Sequence, residues 1–315
     1  MDAIITLSQL HPEFFYVFVF LVSLMVGSFL NVVIYRLPIM MERSWQEEYD
    51  GYFAELNSDT DTGTSANSGA GNNSAANGNS AVTDAPPSPF NLVKPDSTCP
   101  QCGHTIRAWE NIPVLSYLFL KGKCANCKTG ISPRYPLVEL FTAIACTFTA
   151  YHFGPTSQAV WAILITYVLI SLIFIDVDKM LLPDQLTLPL LWLGLLLSTS
   201  GVFVGTTDAI IGAAAGYVSL WSVYWLFKLV TGKEGMGYGD FKLLAALGAY
   251  TGWQGLPVII LLSSFVGAII GIAIMVIQNK GKSLAIPFGP YLAVAGWLTL
   301  LYKDVIITTY LDMVL

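Results

Sequence analysis

Eight apolar runs alternate with polar stretches along the chain. They fall at 14–35, 136–153, 158–175, 185–204, 208–230, 241–253, 256–277 and 286–302. Most approach the about 20 residues that a helix needs to cross a bilayer, and the sixth is shorter. The pattern predicts an all-α polytopic membrane protein with about eight transmembrane helices. Composition agrees: 54% of residues are hydrophobic and 11% charged, with a mean hydropathy of +0.61. Soluble domains carry roughly 25% charge. Residues 1–13 lack a basic start, and no small-residue cleavage site follows the first run, so that run is expected to be a retained span.

The placement of charge is more informative than the net −6. With the 36–135 loop in the cytoplasm, the loops at 176–184, 231–240 and 278–285 follow it there. Of the 15 Lys and Arg, every one but Lys303 then lies inside. Basic residues stay on the cytoplasmic side, so both termini are expected outside. Nothing in this pattern suits a nucleic acid partner.

The expected domains are a first transmembrane helix (1–36), a cytoplasmic loop (37–135), a seven-helix membrane domain (136–302) and a tail on the outer side (303–315). Within the loop, 37–56 is mixed and suits an amphipathic helix, with Trp45, Tyr49, Tyr52 and Phe53 among acids. Residues 57–89 are nearly all Asn, Ser, Gly, Ala, Asp and Thr, ending in Pro86-Pro87-Ser88-Pro89. Such a segment cannot bury enough apolar surface to offset its ordering entropy, and disorder is expected.

Residues 98–135 carry two CxxC knuckles, Cys99-Pro100-Gln101-Cys102 and Cys124-Ala125-Asn126-Cys127, with 21 residues between them. This spacing suits a tetrahedral four-cysteine zinc site. Two disulfides are the alternative, and a reducing cytoplasmic face argues against them. Four thiolates leave no open position for water, so the zinc would be structural. Cys146 lies inside an apolar run and reads as a core residue.

Two acidic stretches meet the membrane from the cytoplasmic side. One is Gly235-Met236-Gly237-Tyr238-Gly239-Asp240. Its glycines permit positive φ and close approach, and predict an irregular loop delivering Asp240 to a helix mouth. The other is Asp176-Val177-Asp178-Lys179-Met180-Leu181-Leu182-Pro183-Asp184. There Asp184 suits a helix N-cap, Asp178 a solvated charge, and Asp176 the deepest position. Paired acids at one membrane boundary can share a proton. One then acts as base on a water while the other polarises a carbonyl, the equipment of an aspartic protease. Capping alone, or an ion pathway, would also place acids in such positions.

At these residues the sequence resembles the prepilin leader peptidase/N-methyltransferase family. The likeness covers Gly27-Ser28-Phe29-Leu30-Asn31 through Pro38, Trp109-Glu110-Asn111-Ile112-Pro113, Ser132-Pro133-Arg134-Tyr135-Pro136 through Glu139, Leu182-Pro183-Asp184 and Gly237-Tyr238-Gly239-Asp240. The short GxGD element also occurs in presenilin-like proteases. The resemblance implies cleavage of type IV prepilin and type II secretion pseudopilin leaders. The cut would fall after a Gly, usually before a Phe, at the cytoplasmic face. It also implies methylation of the new N-terminus with S-adenosylmethionine.

Carried over residue by residue, the catalytic aspartates are Asp176 and Asp240, with Gly237 and Gly239 in the catalytic loop. The metal ligands are Cys99, Cys102, Cys124 and Cys127, and Gly122 and Lys123 are associated with methyl transfer. Acids near the site, Asp178, Glu139 or Glu234, are expected to draw a basic leader. No GxGxxG fingerprint for S-adenosylmethionine is present, so a peptidase with a degenerate methyltransferase half is one alternative. A non-enzymatic transporter or assembly factor is another. The insert at 40–93 departs from the family pattern.

Overall fold

The computed structural model describes residues 12–61, 90–233, 235–278 and 286–314. The described residues form nine α-helices: α1 (Pro12–Asp61), α2 (Leu115–Phe119), α3 (Arg134–Phe153), α4 (Ser157–Lys179), α5 (Asp184–Ser198), α6 (Thr206–Thr231), α7 (Tyr238–Thr251), α8 (Leu256–Gln278) and α9 (Gly289–Val314). Two isolated bridges, Thr98 with Thr105 and Lys123 with Gly130, are the only β-type pairing among the described residues. Among the described residues, four stretches are long and apolar enough to cross a membrane: Glu13–Phe53, Ser157–Lys179, Thr206–Thr231 and Trp253–Ile277.

Several boundaries differ from those expected. The first span and the amphipathic 37–56 segment are one helix of 50 residues, continuous through Pro38. A proline inside a helix removes one backbone hydrogen bond, but the flanking turns carry the helix on. The last helix runs through Val314, so the segment expected as a tail from 303 is helical. Residues 57–61 close α1, and the rest of the expected disordered insert lies outside the described residues, as does Glu234.

The centre of the membrane half is α7. From Asp240 to Thr251 every residue but Lys242 is buried. A helix apolar on all sides must be enclosed by others. Its Phe241, Leu244 and Leu247 pack with Leu172 of α4, Leu190 of α5, Ile259 of α8 and Leu292 of α9. Against α6 the contact is backbone to backbone. Gly212 and Gly216 of α6 meet the carbonyls of Gly248 and Leu244, leaving no room for a Cβ. This is the small-xxx-small packing of membrane helices.

A second core joins α1 to α3 and α4, with Leu30, Ile34, Leu37 and Met41 against Val138, Ile170 and Ile175. Here Gly27 lies so close to α3 that a Cβ would stand 2.9 Å from the Glu139 Cα. Cys146 is fully buried in a third cluster, as a core residue should be. The chain returns to α1 directly after the insert. Buried Arg36 donates to the carbonyls of Asn91 at 3.0 Å and Pro95 at 2.6 Å, and Arg43 stacks on Phe90 at 4.1 Å.

Candidate active site

Asp176 sits inside the last turn of α4, not in a loop, and Asp240 is the third residue of α7. The α4 helix extends to Lys179 because Met180 takes a left-handed conformation (φ 52°) and returns its N–H to the Asp176 carbonyl at 2.8 Å. That cap is usually Gly or Asn. The segment from Gly235 is likewise not all loop: Gly237 is the N-cap of α7, with an extended backbone at φ −82°. Positive φ is therefore not why Gly237 and Gly239 are glycines. Close approach explains Gly239, where a Cβ would stand 2.7 Å from the Leu182 Cβ. Gly235 is similar, crowded by the Phe227 ring at 2.8 Å.

Both carboxylates line one cavity of about 600 Å³ at the ends of these helices. Asp176 is 5% exposed and Asp240 7%. Asp176 Oδ2 and Asp240 Oδ1 are buried without a hydrogen-bond partner among the described residues. Buried carboxylate oxygens are ordinarily satisfied, so an unpaired one on each of two neighbouring acids marks a place for water or a substrate amide. Gly289, opening α9, closes over the first: a Cβ there would stand 2.6 Å from Asp176 Oδ2 and 3.1 Å from both Leu182 methyls. Leu182 thus wedges between the ends of α7 and α9.

The neighbouring acids are committed elsewhere. Asp184 is the first residue of α5 and not its N-cap, which is Pro183. Its carboxylate takes Lys242 Nζ at 2.7 Å, tying α5 to α7 at the rim. Asp178 accepts both guanidinium nitrogens of Arg134. Glu139 is buried and accepts the Val114 N–H at 2.8 Å. Neither Asp178 nor Glu139 is thus free to draw a basic leader. The remaining wall comes from α1, whose Met41 and Trp45 reach the cavity while Glu42 pairs with Lys179 at 2.9 Å. Neither Met41 nor Trp45 had been singled out for the site. Their apolar character shows in the sequence, but their arrival beside Asp176 depends on α1 continuing past Pro38.

The four cysteines converge as spaced. Their Sγ atoms all lie within 4.8 Å of one another, and all four are free thiols. Cys99 and Cys127 Sγ are 3.8 Å apart. A tetrahedron with zinc–sulfur bonds of about 2.3 Å has an edge of about 3.8 Å, so the donor set fits zinc. Each knuckle turns back by a left-handed residue after its second cysteine, Gly103 (φ 67°) and Lys128 (φ 62°). The hydroxyl and N–H of Thr129 draw the Cys127 thiol down to about 6, readying a thiolate. Beside the knuckles, Glu110 holds His104 Nε2 at 3.0 Å and the Arg107 N–H, which keeps its carboxyl below the usual range. Gly122 (φ 68°) lies against the Tyr117 ring, a turn within this module. Neither Gly122 nor Lys123 lines the cavity of the two aspartates.

Comparison with known proteins finds relatives along the whole chain. Residues 21–153 match the bacterial peptidase A24 N-terminal domain, and residues 163–272 match the type IV leader peptidase family. A relative from Aeromonas salmonicida is 53% identical over the whole of both chains. One from Pseudomonas aeruginosa is 52% identical, over 96% of this chain and 95% of its own. One from Neisseria gonorrhoeae is 46% identical, over 90% and 88%. All three are named prepilin leader peptidase/N-methyltransferase. No solved structure matches. With full-length relatives at this identity, and two family models tiling the chain around its cavity, the protein belongs to the type IV leader peptidase family.

Proposed function

We propose that this chain cleaves the leader peptides of prepilins and then methylates the new N-terminus, and that Asp176 and Asp240 perform the cleavage. The observation that carries the dyad is the pair of buried carboxylates, each with an unpartnered oxygen, in one cavity. Two such acids cannot both ionise at close range, so they share one proton. The ionised member takes a proton from a water, whose oxygen attacks the scissile carbonyl carbon. The protonated member donates to the carbonyl oxygen as the tetrahedral intermediate forms. When that intermediate collapses, the C–N bond breaks, the acid that took the water proton delivers it to the leaving amine, and the other carboxylate takes a proton back from a hydroxyl of the intermediate as the C=O re-forms. Gly239 lets the α7 terminus approach Leu182, and Gly237 caps α7 ahead of Asp240.

In this reading pseudopilins of type II secretion are substrates too. The chain crosses a bacterial inner membrane about eight times, with the 37–135 region cytoplasmic and both ends periplasmic. Residues 1–36 form the first span, 136–302 the peptidase domain, and 98–135 a module around structural zinc on Cys99, Cys102, Cys124 and Cys127. Bound zinc would supply a fixed crosslink between the knuckles and no catalysis, since four thiolates fill its coordination. The methyl donor is S-adenosylmethionine, with Gly122 and Lys123 in the methyl-transfer region.

The test is reconstitution with a prepilin and S-adenosylmethionine, following leader loss and the mass of the mature N-terminus. Wild type should release the leader and add one methyl, whereas Asp176→Asn and Asp240→Asn should leave prepilin intact. Cleavage by either variant at the wild-type rate would overturn the dyad.

A further inference from the structure

The cytoplasmic half of α1 carries a feature that cleavage chemistry does not use. Beyond Met41 and Trp45, which line the catalytic cavity, the same helix continues outward with Tyr49, Tyr52 and Phe53. Spacings of three and four residues put these on one face. All four aromatic residues are exposed: Trp45 50%, Tyr49 63%, Tyr52 61% and Phe53 43%. Tyr49 and Phe53 stack on each other at 4.5 Å and Phe53 meets Tyr52 edge-on. Acids lie among them. Glu48 falls between Trp45 and Tyr52 on that face, and Glu47 and Asp50 flank it. These three are exposed and have no ion-pair partner among the described residues, whereas Arg43 is engaged on Phe90.

We infer that this face, from Trp45 to Phe53, is the docking surface for a basic segment of the substrate peptide on the cytoplasmic side of the scissile bond. The inference rests on the proposed peptidase reading for the identity of the substrate. Three observations choose this occupant. The face is continuous with the cavity, so a chain lying on it enters the cavity beside Asp176. Its acids attract Lys and Arg, and its rings receive the same cations on their faces. Finally, the charge has the wrong sign for a helix lying on lipid. Interfacial helices are rich in Lys and Arg, and an anionic leaflet repels carboxylates. The surface also replaces the acids expected for this role, since Asp178 and Glu139 are held by Arg134 and Val114.

The experiment uses the full chain in lipid nanodiscs with one prepilin. The variants are Tyr49→Ala/Phe53→Ala and Glu47→Gln/Glu48→Gln/Asp50→Asn. The aromatic double variant should raise KM about tenfold with kcat within about twofold. The neutralised variant should raise KM at low salt and flatten its salt dependence. In an Asp176→Asn background, a fluorescent peptide copied from that prepilin's leader should bind, and the aromatic double variant should lose about tenfold in affinity. Unchanged KM and peptide affinity in both variant sets would overturn the inference. So would a change confined to quenching of the helix tryptophan by brominated lipid, which would make the face a lipid contact. Because peptide binding needs no catalysis, cleavage surviving in Asp176→Asn would sink the dyad while leaving this measurement able to decide the docking face.

Discussion

Placing a methyl group at Gly289 tests the active site most directly. The added Cβ would meet Asp176 Oδ2 at 2.6 Å and Leu182 at 3.1 Å. An ordinary carbon–oxygen contact is about 3.4 Å, so the carboxylate or α9 must move by about 0.8 Å. Overpacking of this kind costs about 1–3 kcal/mol of stability. The rate should suffer more, because a displacement near 1 Å in a reacting group costs on the order of 100-fold. Gly289→Ala should therefore lower kcat for prepilin cleavage about 100-fold. Its melting temperature should fall by only a few degrees, by about the shift expected for a 1–3 kcal/mol loss. Gly130→Ala, where a Cβ would meet nothing within 4 Å, is the control and should be silent. The assay is leader release in nanodiscs alongside thermal melting. If Gly289→Ala cleaves within about twofold of wild type, the tight closure over Asp176 does not govern its position and the reasoning fails.

Three further outcomes are expected. Cys99→Ser, or a strong chelator, should lower bound zinc and loosen residues 98–131, read by metal analysis and proteolysis; unchanged metal content refutes the four-thiolate site. Deleting 62–89 should leave cleavage intact, because Arg36 and Arg43 hold the returning chain at Phe90–Pro95; loss of cleavage in a stably inserted protein refutes the tether reading. Glu139→Ala strands the Val114 N–H and should cost about 1–3 kcal/mol in thermal or denaturant unfolding; a loss under about 0.5 kcal/mol, the range of an ordinary surface substitution, refutes that role.

Much of this was legible because the signals were local. The CxxC knuckles assembled as their spacing requires, since each is one tight turn. Asp176 and Asp240 were legible as acids abutting apolar runs. What was not legible depended on distance or on neighbours. Asp178 and Asp184 found Arg134 and Lys242 on other helices, and no local pattern announces that. The first helix was ended at 35–36, where the apolar run gives way to polar sequence, whereas its Leu37 and Met41 pack on α3 and α4 and carry the helix through. The glycines before Asp240 were read for positive φ and for close approach; the second holds, at Gly235 and Gly239, where the neighbours are Phe227 and Leu182. The Gly212-Ala213-Ala214-Ala215-Gly216 run was a visible signal left unread; it is the seam between α6 and α7.

The shortness of α7 has a thermodynamic effect on any bond cut beside it. Fourteen residues rise only about 21 Å, against a hydrocarbon slab of about 30 Å. Asp240 in its first turn opens on the cavity it shares with Asp176, a protein-walled well. A peptide segment threaded down this well must give up its helical hydrogen bonds to present an attackable carbonyl. In lipid that loss would cost several kcal/mol per orphaned amide. Inside the well, the bare oxygens of Asp176 and Asp240 are the acceptors on hand. The same two atoms that lack a partner at rest can therefore take up the amides of an unwound substrate, and the chain that unwinds most readily there is the one most easily cut.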